Sequence, residues 1–371
     1  MQYPRNKLYL AAAGAGKTTF IIKESASNKE ERILITTFTE NNEAEIRNKF
    51  KQRIGYVPSN VTIQTWFSFL LEHGVRPYQS VLYESRAAGV QLVNEQSSPM
   101  TKDSWEIHYF NKNQDVYSDK LSKLVCKIDE ASKGFVISRL ERIFDVVYID
   151  EVRDLIGYDL EILRLLAKSS IGLVLLGDPR QVTYHTHWET KHKRYRDGKI
   201  REFIEDFCKS SFVVDSGTLN GSYRNNVAIC NLANQLFPEY EQTKSISLHE
   251  PTAHEGVFFV KEKDVDTYLE HYSPIQLRDS KRKKVNEFYP VYTFGGAKGK
   301  TFKRTLIYLT IPMKKWLKDR RFQLEFQSRC RAYVAITRAI HSVGLVIKDN
   351  DKIPTLDIPV YAPVGLDLFS S

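Results

Sequence analysis

Residues 11–18 read Ala-Ala-Ala-Gly-Ala-Gly-Lys-Thr, a run of small residues closed by a cation and a hydroxyl. Small residues let backbone N–H groups close around an anion, and a helix starting at such a loop adds the positive end of its dipole. The combination suits a chain of phosphates, with Lys17 reaching the β- and γ-phosphates and the Thr18 hydroxyl holding Mg²⁺. Ala11 stands where such loops usually open with glycine, and alanine there requires ordinary backbone angles. A second group lies at residues 144–151, Phe-Asp-Val-Val-Tyr-Ile-Asp-Glu, an apolar run that ends in two carboxylates. Asp150 suits a magnesium ion held through water, and Glu151 suits orienting and deprotonating an attacking water. Gly177-Asp178-Pro179-Arg180-Gln181 follows the next apolar run, and the Gln181 amide suits sensing of a γ-phosphate.

These groups need a scaffold that brings distant loops together. Short apolar runs at Lys7–Leu10, Ile33–Thr36, Val61–Ile63, Val146–Ile149 and Leu173–Leu176 alternate with helical patterns. Such alternation predicts an α/β fold with a parallel sheet covered on both faces, whose ligands gather at the carboxyl ends of the strands. Each chemical group above follows one of these runs. The polar stretch at 77–142, with interspersed Trp105, Tyr109, Phe110 and Tyr117, reads as a small inserted subdomain. A second series opens with Phe212–Val214 and continues through a helix at Val227–Phe237 and strands at Gly256–Val260, Pro290–Thr293, Thr305–Thr310 and Val343–Ile347. The expected organisation is a first parallel-sheet lobe in two parts, 1–76 and 143–208, interrupted by 77–142, and a second lobe at 209–371 with a proline-bearing tail.

Composition narrows the function classes. A length of 371 residues suits two domains, and 54 basic against 45 acidic residues give a net charge of +9, which suits a polyanionic partner. The four cysteines, Cys126, Cys208, Cys230 and Cys330, are far apart, which argues against a disulfide framework or zinc site and fits a reducing cytosol. No apolar run reaches membrane-spanning length, and the short apolar stretch before Ala11 is too brief for a signal peptide. A cytoplasmic protein without membrane association is the expectation.

Further along the chain the motifs form an ordered set. Thr37-Phe38-Thr39-Glu40-Asn41-Asn42-Glu43-Ala44 comes after the phosphate loop, then Thr65-Trp66-Phe67-Ser68-Phe69, then Asp150-Glu151-Val152-Arg153-Asp154. Tyr223-Arg224, Ala297-Lys298-Gly299-Lys300-Thr301-Phe302 and Tyr333-Val334-Ala335-Ile336-Thr337-Arg338-Ala339 complete it. In content and order the chain resembles a superfamily 1 helicase of the UvrD/Rep type. The resemblance implies two RecA-like lobes that bind ATP and Mg²⁺, and movement along single-stranded DNA in the 3′→5′ direction. It implies a nucleotide pocket formed by Ala11, Ala12, Ala13, Gly14, Ala15, Gly16, Lys17, Thr18, Thr19 and Gly299, with Arg224 and Arg338 as arginine fingers. Planar, permanently charged, bidentate guanidinium groups suit that task. Thr39, Asn41, Thr65, Trp66, Phe67 and Ser68, with Tyr184 and Trp188 downstream, would line the strand, hydroxyls and amides on phosphate and aromatic faces on bases.

The chain also departs from that pattern. Thr301 replaces a glutamate, Arg153 replaces a glutamine, the Thr65–Phe69 segment has no histidine, and the interval from Arg224 to Lys298 is short. The short interval casts doubt on processive unwinding more than on hydrolysis. The alternative expectation is therefore a DNA-stimulated ATPase that senses single-stranded or tailed duplex DNA and signals to a protein effector or nuclease partner, in phage defence or repair. The ordered motifs with Arg224 and Arg338 argue against an unrelated kinase or GTPase. Three basic groups stand apart: residues 191–196, Lys281-Arg282-Lys283-Lys284, and Lys314, Lys315, Lys318, Arg320 and Arg321 around Trp316. Charge runs are ordinarily solvated faces, but together these could funnel a nucleic-acid backbone.

Overall fold

The computed structural model describes residues 5–84, 86–98, 100–102, 104–182, 191–351 and 358–363. The chain divides into two compact units, the first comprising residues 1–11, 16–179 and 185–218 and the second residues 12–15, 180–184 and 219–371.

In the first unit, strands β1 (Asn6–Leu10), β2 (Ile33–Thr37) and β3 (Val61–Thr65) are followed by the two-residue strands β4 (Val90–Gln91) and β5 (Val116–Tyr117), then β6 (Val146–Asp150), β7 (Gly172–Gly177) and β8 (Phe212–Asp215). Six of them form one sheet in the order β3-β2-β6-β7-β1-β8. Every pairing in it is parallel. The central strands β2 and β6 are buried along their whole length, as befits a parallel sheet covered on both faces. Helices α1 (Lys17–Ser27), α2 (Glu40–Ile54), α3 (Trp66–Phe69), α4 (Leu121–Ala131), α5 (Phe135–Ile143), α6 (Tyr158–Ala167) and α7 (Ile200–Phe207) complete the unit.

One expectation is corrected here. Phe212–Val214 does not open the second lobe, because β8 adds to the free edge of β1 with Phe212 opposite Asn6 and Val214 opposite Leu8. The first unit accordingly runs to Thr218 rather than 208. The inserted stretch 77–142, which carries its own two-stranded sheet of β4 and β5, packs into the core of the first unit. Tyr109, Phe110, Val116 and the α4 residues Leu121, Leu124, Val125 and Ile128 join Leu8, Leu34, Val147 and Leu173 in one apolar core. The α4 residues recur at helical spacing, so one face of that helix meets the core while Lys123 and Lys127 are half-buried at its margin.

The second unit has a short pair, β9 (Gly221–Ser222) with β10 (Lys244–Ser245), and a main sheet of β11 (Gly256–Lys261), β12 (Ile275–Arg278), β13 (Val291–Thr293), β14 (Phe302–Tyr308) and β15 (Ala339–Ile347). The main sheet has the order β11-β15-β14-β12-β13, again wholly parallel. Helices α8 (Val227–Asn234), α9 (Val265–Tyr272), α10 (Ile311–Lys318) and α11 (Phe326–Ile336) accompany it. Ile229, Phe237, Trp316 and Tyr333 pack with Leu277, Ile307, Val343 and Leu345 to form its core. The two parallel sheets establish the expected α/β class. Among the described residues no helix is long and apolar enough to cross a membrane, and all four cysteines are free.

Candidate nucleotide site and nucleic-acid contacts

Strand β7 lies between β1 and β6, with Leu10 opposite Gly177 and Asp150 opposite Leu176. The sheet thus brings the loop after β1 and the carboxylates ending β6 to neighbouring strand ends. Gly16 caps α1 with a left-handed φ of 77°, which glycine adopts without steric cost. No side chain caps this helix, and its first turn holds no acidic residue. Its first N–H groups, which lack acceptors within the helix, therefore keep the positive dipole end open to an anion.

Around this helix start the first unit gathers its charged groups. The Lys17 ammonium is 4.0 Å from Glu151 Oε1, and Arg153 Nη1 is 2.5 Å from Glu151 Oε2. Asp150 is buried and accepts a 2.9 Å hydrogen bond from the Glu151 N–H. Burial, and after it the neighbouring Glu151, push the Asp150 carboxyl well above the usual carboxylate range, against the pull of Lys17 and Arg153. Glu151 itself stands at φ 60°, a left-handed conformation that is uncommon outside glycine. Arg153 is only 3% exposed. Burial opposes its charge, but Glu151, Asp154, Asp178 and Asp150 together hold its pKa above the ordinary value. A neutral glutamine at this position would leave those carboxylates without a compensating positive charge. The hard oxygen donors of Thr18 and Asp150 fit Mg²⁺, an ion that keeps several waters and binds through one or two carboxylates plus phosphate oxygens. Among the described residues no cluster of three or more His, Cys, Asp or Glu forms a protein-only metal cage.

The second unit contains loop residues 12–15 and 180–184. Within it Ala13 N–H donates to the Tyr333 hydroxyl (3.3 Å), and the Gly14 carbonyl accepts from Tyr223 N–H (3.0 Å). Gly14, at φ 76°, passes so close to Ser222 and Arg224 that an added Cβ would lie 2.7 and 2.8 Å from their side chains. Arg338 is 2% exposed, and its Nη2 donates to Gln181 Oε1 (3.3 Å) while Nε donates to the Val334 carbonyl (3.1 Å) and Nη1 to that of Lys300 (3.3 Å). Arg224 Nη1 donates to the Thr337 carbonyl at 3.1 Å. The predicted Gln181, Arg224 and Arg338 are therefore joined through Thr337 and its neighbours. Gly299, at φ 82°, is next to Lys300, whose carbonyl receives Arg338. Sequence reasoning passed over Tyr333 and Arg180, whose guanidinium lies 4.8 Å from the Tyr333 ring. Arg180 lies in the 177–181 segment and Tyr333 in the 333–339 segment, and that placement is the only signal the sequence carries for either.

The expected strand-lining residues divide. Thr39 and Asn41 are exposed just after β2, Thr39 capping α2 by accepting from Asn42 N–H at 3.2 Å. Thr65 is buried and caps α3 through Ser68 N–H (3.2 Å), and Phe67 is half-buried, edge-on to Phe38 at 5.3 Å. Trp66 is corrected. Its indole is 1% exposed and donates to the Asp159 carboxylate at 2.8 Å, so it has no free face for a base. Trp66 and Phe69 are three residues apart, which turns both onto the buried face of the helix. Trp66→Ala is expected to destabilise the fold by about 3–5 kcal/mol, the usual cost of emptying a large aromatic site. Urea denaturation would measure this, and a loss below about 1 kcal/mol would contradict the buried role. Tyr184 and Trp188 lie outside the described residues.

Parallel-sheet units with a phosphate-binding loop at a strand-to-helix turn define the class of phosphate-loop nucleotide-binding proteins. Within that class, the family model of the viral superfamily 1 RNA helicase core domain matches residues 106–347, and the chain belongs to this family. The matched span includes Asp150, Gln181, Arg224 and Arg338 and begins downstream of the phosphate loop. No curated protein matches the sequence. Among solved structures the chain is similar to the arterivirus nonstructural protein 10 helicase (15% identity, TM-score 0.49, 93% of this chain and 60% of that one). It is also similar to the complex of arterivirus nonstructural protein 10 with DNA (15%, 0.49, 93% and 62%) and to the PRRSV helicase (17%, 0.45, 94% and 54%). The chain thus spans between 54% and 62% of the length of these helicases.

Proposed function

We propose that the chain is an ATP-dependent superfamily 1 helicase or translocase that moves along single-stranded nucleic acid. The observation that carries this reading is the arrangement at the strand ends of the first sheet, where an uncapped α1 start holds Lys17 4.0 Å from Glu151, next to buried Asp150. The open helix N-terminus and Lys17 bind the phosphates and offset charge on the transferred group. Thr18 and Asp150 would hold Mg²⁺, which when bound would neutralise charge on the phosphate oxygens. Glu151 orients a water and accepts its proton at a carboxylate oxygen. Arg224 and Arg338 stabilise the charge that develops on the γ-phosphate, and Gln181, hydrogen-bonded to Arg338, reports the state of that phosphate. Exposed Thr39 and Asn41 contact the strand backbone.

Within superfamily 1, the wording of residues 297–302 and 333–339 supports the UvrD/Rep-type branch, and 3′→5′ travel follows from that likeness. The test is the rate of phosphate release with and without single-stranded DNA or RNA, followed by displacement of a tailed duplex. Stimulation with displacement is expected. Stimulation without displacement would favour a nucleic-acid-sensing ATPase, and hydrolysis indifferent to any strand would overturn the reading.

A further inference from the structure

Beside β11, at the edge of the second unit's main sheet, lies a cavity of about 410 Å³, within the size range of small-molecule sites. None of the residues assigned above to nucleotide or strand lines it. Its walls are largely apolar. Leu232 comes from α8, Val257 from β11, and Ile358 with Pro359 from the segment that follows the sheet. That segment is tied to the strand edge, with Phe259 N–H donating to the Pro359 carbonyl (2.9 Å) and Tyr361 N–H to the Phe259 carbonyl (2.8 Å). The wall is therefore part of the fold.

Arg320 is the cation in this lining. Just beyond α10, it lays its guanidinium 3.9 Å from the centre of the Trp316 ring. Its Nη1 is closed off from solvent and donates no hydrogen bond. The adjacent Asp319 pairs with Arg321 at 3.0 Å instead. Burial pulls the Arg320 guanidinium down to about 10, with no carboxylate to offset it, and it keeps its charge at neutral pH. A buried charge without a hydrogen-bond acceptor is costly, and a ligand that supplies the acceptor relieves that cost. Glu255 also lines the cavity, but its oxygens are already taken. They accept from Asn226 Nδ2 (2.8 Å) and from the Thr252 N–H and hydroxyl (both 2.9 Å), and they share a hydrogen bond with His341 Nδ1 (2.6 Å).

One guanidinium among apolar walls defines the chemistry of an occupant. Arginine matches a carboxylate through two parallel N–H bonds. A single cation balances a single negative charge, and Glu255 in the same lining disfavours a dianion such as a phosphate monoester. The walls call for an apolar body that removes their surface from water. Asn231 and Gln235, four residues apart on the exposed side of α8 and its end, add two side-chain amides at the rim for a polar group next to that body. We propose that this cavity binds a small organic acid, its carboxylate seated on the Arg320 guanidinium and its apolar body against Leu232, Val257 and Ile358. The site stands independently of the helicase reading.

The test is isothermal titration calorimetry of the full chain with N-acetyl-L-leucine and with its neutral amide, N-acetyl-L-leucinamide. The acid is expected to bind about 10-fold or more tightly than the amide, the scale of a hydrogen bond to a charged group. Arg320→Gln should abolish that preference, leaving acid and amide within about twofold of each other. Ala228→Phe, on the exposed face of α8 at the rim of the cavity, should weaken both ligands by about 10-fold while Arg320 stays in place. Thermal melting establishes that each variant is folded. Should Arg320→Gln fail to fold, the acid–amide comparison on the wild-type chain and the rim variant still decide. A wild-type chain that binds no acid up to about 10 mM would overturn the site. Equal affinity for acid and amide would overturn it too, as would wild-type binding by a folded Ala228→Phe chain or an acid preference that survives in a folded Arg320→Gln chain.

Discussion

Replacing Lys17 by alanine is expected to lower phosphate release by about 10²–10³-fold, the scale seen when a group aimed at developing charge is removed. The side chain is placed at the first residue of α1, where no other basic residue stands in the first turn. On the proposed reading its ammonium would hold the phosphates, and it lies 4.0 Å from Glu151. Alanine is the most favourable helix former, so the helix itself should persist. Malachite-green phosphate detection gives the rate, and thermal melting gives the fold. A folded variant turning over within tenfold of wild type would remove Lys17 from the site.

Arg338→Ala is the second large effect, an expected loss of about 10³-fold or more in kcat, the range for an arginine finger. Its guanidinium donates to Val334, Lys300 and Gln181, which hold it from three directions. Truncation also leaves those acceptors unpaired, so a conservative variant is needed. Arg338→Lys keeps a positive charge but has no planar fork, and it should recover little of the rate if bidentate contact matters. Single-turnover hydrolysis with nucleotide affinity measured separately would show the loss in kcat. A lysine variant with full rate would assign Arg338 a structural role only.

Much of the scaffold was legible because periodicity and burial coincide. The runs at Ile33–Thr36 and Val146–Ile149 are β-branched or aliphatic on both faces, which only a doubly covered sheet tolerates, and both became central strands. Phe212–Val214 was equally legible as a strand, but nothing in its residues says whose edge it joins. Strand β12 at Ile275–Arg278 escaped notice because four residues directly after a helix and Pro274 carry little pattern of their own. Trp66 misled for a related reason. An aromatic residue in a motif announces contact, and the turn of α3 decides whether that contact is a base or Asp159. The Lys314–Lys318 run on α10 was visible as charge, but its meeting with Lys283 and Lys348 around one cavity depends on sheet order, which no local spacing encodes.

The left-handed turn at Glu151 has a consequence for how the chain can change. Holding a side-chain-bearing residue there sacrifices on the order of 1–2 kcal/mol that glycine would restore. On the proposed role of Glu151 in orienting a water, selection for heat tolerance alone would erode the carboxylate at this position, and selection for turnover would keep it. Robustness and catalytic competence therefore oppose one another at a single backbone angle.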